Sequence, residues 1–176
     1  MLPAFIYTLS TVSYAQEVIT TDTHRLDQVA DGVYFATGSG DIYTMSNALI
    51  IEREDDIVIV DSHITPAAGR ALLDSIRTVS DKPVTTLINS HFHYDHSNGT
   101  PAFGDDLEII GHEVTYEKLT GDPENEHTYQ SSLRRFDNTV ARLESELANA
   151  TEAGERLQIE NQLNYWRRHV EAQSEI

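Results

Sequence analysis

Apolar positions along this chain change period twice, and the changes divide it. From Leu26 to about Gly111 they come in short runs bounded by turn residues. Val33-Tyr34-Phe35 follows Asp31-Gly32, a turn signal. Ala48-Leu49-Ile50-Ile51 and Ile57-Val58-Ile59-Val60 flank Glu52-Arg53-Glu54-Asp55-Asp56, which predicts an antiparallel hairpin with a polar tip. The second run is apolar throughout, so it is expected as a central strand buried on both faces. Thr65-Pro66 then reads as the cap and first position of a helix whose inner face carries Ala68, Leu72 and Ile76. After Asp81-Lys82-Pro83 comes a strand over Val84 to Ile88, and a shorter one over Leu107 to Ile110 follows a loop. Strands alternating with a helix in this order predict an α/β layer architecture.

The period then lengthens. Beyond Gly121-Asp122-Pro123, Leu133, Phe136, Val140, Leu143 and Leu147 are spaced three and four apart, as are Ile159, Leu163, Trp166 and Val170. Ala148 to Glu155, with Thr151 and Gly154, separates the two series, which predicts a helical hairpin packing on itself and on the rest of the chain. At the other end, residues 2–15 are largely apolar, carry no charge and finish in Ser13-Tyr14-Ala15, like a signal-peptidase site. The basic stretch that precedes such a region is missing, and the apolar stretch is too short to span a membrane. The expected organisation is therefore a truncated signal peptide over 1–16, an α/β half-domain over 17–120 and a helical extension over 121–176. Export to the periplasm or outside the cell follows from the first of these.

Composition narrows the chemistry. Twenty-nine acidic residues against 12 basic give a formal charge of −17, which repels phosphate backbones and argues against a nucleic-acid partner while attracting divalent cations. The chain has no cysteine, which excludes disulfides, Cys-type zinc fingers, iron–sulfur clusters and a thiol nucleophile.

Ser90-His91-Phe92-His93-Tyr94-Asp95-His96 places four potential metal donors within six residues, straight after an apolar strand. Imidazole nitrogen and carboxylate oxygen are the donors zinc takes when cysteine is absent. Extended geometry would point His91 and His93 to one side, with Asp95 and His96 arriving where the chain turns before Ser97-Asn98-Gly99. Such a segment sits where α/β sheets collect ligands, at the carboxyl ends of strands. It cannot complete a tetrahedral cage alone, so further donors must come from elsewhere. A structural metal site is the rival reading of the same residues.

The His91-x-His93-x-Asp95-His96 motif, with Asp61 closing the strand Ile57–Val60, resembles the metallo-β-lactamase superfamily over roughly Leu26 to His112. The resemblance implies the first half of an αββα sandwich. It implies that His91 and His93 bind a first zinc ion and Asp95 and His96 a second, with Asp61 steadying the ligand loop. Asp95 would also orient the nucleophile, which makes it the candidate catalytic residue. Taken without the resemblance, Asp61 reads equally well as a turn residue. The implied activity is hydrolysis of an ester, lactone, thioester or amide carbonyl in a small-molecule substrate by metal-activated hydroxide. An iron dioxygenase acting on sulfur compounds is the implied alternative. The superfamily's other ligands, a third first-site His, a bridging Asp and a last His, belong to a second half-domain. The chain is therefore expected to be an N-terminal fragment, and inactivity of the fragment on its own is the remaining alternative. His127 and His169 lack the strand context of those ligands and are not assigned to metal.

Weaker candidates surround the motif. Gly38-Ser39-Gly40-Asp41 reads as a flexible loop bordering the site. His63 reads as a solvent-exposed loop residue or, less simply, one facing substrate. Tyr94 reads as a packing residue that could alternatively polarise a substrate oxygen. Ser62 and Ser90 lie near histidines, but a serine triad does not require HxHxDH clustering.

Overall fold

A computed structural model describes residues 17–121 and 127–176. Among these, seven strands form one mixed sheet in sequential order. They are β1 (Val18–Thr20), β2 (His24–Ala30), β3 (Val33–Gly38), β4 (Ala48–Glu52), β5 (Ile57–Val60), β6 (Val84–Ile88) and β7 (Glu108–Ile110). β1 to β5 form an antiparallel meander, and β5, β6 and β7 are parallel. The expected hairpin is β4–β5, closed by the Arg53 N–H to Asp56 carbonyl bond at 2.8 Å and an exposed Arg53–Asp56 ion pair. Helix α1 (Pro66–Ile76) forms the crossover to β6, with Pro66 at its first turn and the Thr65 hydroxyl accepting from the Ala68 N–H.

The core lies on one face of this sheet. Leu26, Tyr34, Ala36, Ala48, Ile50, Ile57, Ile59 and Leu87 meet Leu72 and Ile76 of α1. The opposite face is less covered. Val58 is buried there, but Val60, Leu49, Ile51 and Ile88 are half-buried, and Phe35 and Ile110 are exposed. The expectation that β5 is buried on both faces thus holds for Val58 and fails at Val60, because α1 covers one face only.

Two strands, β1 and β2, precede the first one legible in the sequence. In β2 the inward positions are His24 and Leu26, both fully buried, so a polar letter hides the alternation. After β6 come the short α2 (Tyr94–Ser97), a 3-10 turn over Thr100–Phe103, β7 and α3 (Glu113–Leu119). The helical hairpin is α4 (His127–Asn149) and α5 (Ala153–Gln173), joined by Leu143, Ile159 and Leu163. Phe136, Trp166 and Val170 seat it on Tyr43, Ile64 and Tyr94 beside the motif. The expected export signal over 1–16 and the side chain of His127 lie outside the described residues. Among the described residues no helix is long and apolar enough to cross a membrane.

Candidate metal centre

The motif lies in a turn, not on a strand. β6 ends at Ile88, and the Asn89 N–H still bonds the Ile110 carbonyl at 2.8 Å. At the next residue the Ser90 N–H turns to the Asp61 carboxylate, also at 2.8 Å, and the chain leaves the sheet. His91 and His93 therefore come together through this bend, and strand alternation does not bring them there. His93 is the cap residue of α2, which carries Tyr94, Asp95 and His96.

Asp61 organises the cluster. It follows β5 with a left-handed backbone (φ 65°), a conformation that costs free energy in any residue but Gly and that clusters at functional sites. Its carboxylate accepts from the Ser90 N–H, the Ser90 hydroxyl (2.7 Å) and His96 Nδ1–H (2.8 Å). Because the Ser90 proton goes to Asp61, the Ser90 oxygen accepts from His91 Nδ1–H at 3.0 Å. One carboxylate thus sets the ring orientation of two histidines, with the Nε2 of His91 towards His93 and that of His96 towards Asp95. Burial raises the Asp61 pKa, but the bonds from His96 and Ser90 outweigh it and hold the carboxyl below its ordinary value. Bonds to Asp61 and then Asp95 raise the His96 pKa to about 9. Asp95 is likewise lowered on balance, with burial opposed by the His96 bond and charge. Burial, and then the charges of His96 and His93, lower His91.

The four donors stand as two pairs. His91 Nε2 is 3.1 Å from His93 Nδ1, and His96 Nε2 is 3.3 Å from Asp95 Oδ2. The His91 and His96 rings lie 4.2 Å apart between centroids, so the pairs adjoin. Two nitrogens bound at about 2.0–2.1 Å to one tetrahedral zinc would sit roughly 3.3 Å apart, so the spacing and the donor chemistry both fit zinc. Among the described residues no group of three or more His, Asp or Glu side chains is arranged to hold a metal ion together.

Neighbouring candidates fall elsewhere. His63 is neither exposed nor facing substrate. It is fully buried, because the left-handed turn at φ 70° folds its ring under the sheet end towards His24. The Tyr94 hydroxyl is engaged with Ser132 of α4 and with the Met45 sulfur, which supports the packing role. Ser62 bonds the His96 carbonyl and Thr100, which are not the partners of a triad nucleophile. His112 caps α3, and His169 packs edge-on against Phe136 and Tyr43. The loop at Gly38–Asp41 approaches α5 through Asp41 and Arg168, 3.4 Å apart.

The family model for the metallo-beta-lactamase superfamily matches residues 42–156, nearly two thirds of the chain and the whole HxHxDH segment. This chain belongs to the metallo-beta-lactamase superfamily. Among curated relatives it is 35% identical over 65 residues to a linear primary-alkylsulfatase of Pseudomonas sp. (strain ATCC 19151), a match covering 37% of this chain and 12% of the relative. It is 36% identical over 67 residues to the beta subunit of a 2,4-dinitroanisole O-demethylase of Nocardioides sp. (strain JS1661), covering 38% and 21%. It is 32% identical over 92 residues to an alkyl/aryl-sulfatase of Saccharomyces cerevisiae, covering 52% and 14%. The matches thus span a small part of each relative. Among solved structures, a metallo beta lactamase from Erythrobacter litoralis aligns with a TM-score of 0.50 at 23% identity, over 58% of this chain and 47% of that one. A double mutant of a sec-alkyl sulfatase aligns at 0.52 and 24%, over 63% and 18%. These likenesses bear out the α/β fold of the superfamily.

Proposed function

We propose that this superfamily member carries the HxHxDH half of a zinc-dependent hydrolase site, with His91, His93, Asp95 and His96 as the metal ligands. The observation that supports it most is the Asp61 arrangement. A ligating histidine commonly gives its other ring N–H to a carboxylate, and Asp61 does this for His96 directly and for His91 through Ser90. Bound zinc would supply hydroxide at neutral pH and polarise a substrate oxygen. The chain's own residues hold and orient. His91 Nε2 and His93 Nδ1 form one pair, and Asp95 Oδ2 and His96 Nε2 the other. The Asp95 carboxylate, held below its ordinary pKa by the His96 bond and charge, would ligate and orient the nucleophile.

Carbonyl esters, lactones, thioesters and amides fit this chemistry, but two of the relatives above are named as a linear primary-alkylsulfatase and an alkyl/aryl-sulfatase. A sulfate monoester of an alkyl alcohol is therefore the substrate class to assay first. Zinc-loaded protein is expected to release inorganic sulfate from octyl sulfate, and His93→Ala to release none. Equal release by both variants would contradict the assignment. Iron in place of zinc would move the reading to the oxygenase alternative.

A further inference from the structure

A second histidine pair lies beneath the motif and takes no part in the proposed site. His24 on β2 and His63 after β5 are both fully buried, with their rings stacked at 5.1 Å between centroids and their Nε2 atoms 3.0 Å apart. His24 Nδ1 reaches the hydroxyls of Thr23 (3.0 Å) and of Ser75 on α1 (3.1 Å). His63 Nδ1 reaches the Ser46 hydroxyl at 3.3 Å, and that hydroxyl bonds the backbone carbonyl of Asp95.

The direction of every bond follows from the last one. A carbonyl only accepts, so the Ser46 proton goes to Asp95. The Ser46 oxygen must then accept from His63 Nδ1–H. With its proton on Nδ1, a neutral His63 accepts at Nε2, so His24 carries its proton on Nε2. His24 Nδ1 is left to accept from Ser75 or Thr23. Burial lowers the pKa of His24 to about 4 and, with the charge of His24 added, that of His63 to about 3, so both rings are neutral at pH 7 and the assignment is self-consistent. Bonds aligned in one direction polarise one another and hold their ends more firmly than isolated ones.

We propose that His24 and His63 are positioning residues, forming a buried one-way hydrogen-bond chain that runs from α1 through Ser46 to the Asp95 carbonyl and fixes the HxHxDH turn against the sheet. Asp61 orients the histidine rings from one side, and this chain holds the peptide of Asp95 from the other. Its consequence for metal rests on the proposed zinc reading, whereas the chain itself does not.

Long-range ¹H–¹⁵N correlation spectra of the full chain at pH 7 test it. They are expected to show a single tautomer for each ring, Nε2–H for His24 and Nδ1–H for His63. Ser46→Ala is expected to shift the Asp95 carbonyl ¹³C signal and to weaken zinc binding about ten- to hundredfold, measured by chelator competition. Ser46→Thr, which keeps the hydroxyl, restores both. A His63 proton on Nε2, or an Asp95 signal unmoved in Ser46→Ala, overturns the proposal. A wild-type chain that takes up no zinc counts against the metal reading alone, because the tautomers and the Asp95 signal still decide the positioning role.

Discussion

At the scale of single residues, Asp61 carries the most. It holds a left-handed backbone, accepts three hydrogen bonds and sets the rings of His91 and His96. Asp61→Asn keeps an acceptor for the Ser90 N–H but removes the charge that holds His96. Zinc affinity is expected to fall about ten- to hundredfold, and unchanged affinity in chelator competition would refute this role for Asp61. The motif's donors were legible from residue type and spacing. The way they are brought together was not, because the bend after Ser90 depends on Asp61, 29 positions earlier. His63 was misread for a related reason: its partners His24 and Ser46 are distant in sequence, and no local pattern marks a buried imidazole.

Elements meet around the site through close approaches. Gly99, at the end of α2, lies so near the Ser62 loop that an added Cβ would sit 1.7 Å from the Ser62 carbonyl oxygen. Gly99→Ala must push α2 off that loop, with an expected loss of about 2–3 kcal/mol in urea unfolding. Gly154, in the first turn of α5, has open space around it, and Gly154→Ala is expected to stabilise by about 0.5 kcal/mol. Equal effects of the two substitutions would contradict this packing. The helical hairpin has its own sensitivity. Burial among Phe136, Tyr43 and Trp166 lowers the His169 pKa to about 4. Between pH 6.5 and 4 the unfolded chain then binds more protons than the folded one, so this contribution is complete above pH 6.5 and is lost as the pH falls through that window. Emission from Trp166, the chain's one tryptophan, should shift red across it, and His169→Phe should flatten the response. A red shift of equal size in His169→Phe would place the effect elsewhere. Both helices of the hairpin were legible from their apolar spacing. Their seat against Tyr43 and Ile64 was not, since periodicity shows which face is buried but not what covers it.

For the whole molecule, the α/β order was legible because β4, β5 and β6 are short β-rich runs, α1 has helical spacing, and recognisable turns join them. β1 and β2 escaped because β1 is three residues long and β2 buries a histidine. The less covered sheet face, with Phe35 and Ile110 exposed, could not be foreseen from runs such as Ile57–Val60, which read the same whether one face is covered or two. The proposed function stands or falls on metal binding by the turn after β6. Elemental analysis of the purified chain, alongside a His91→Ala/His93→Ala variant, tests it most directly. Zinc is expected in the wild-type chain, with most of it lost from the variant. A variant that keeps the wild-type metal content would contradict the claim.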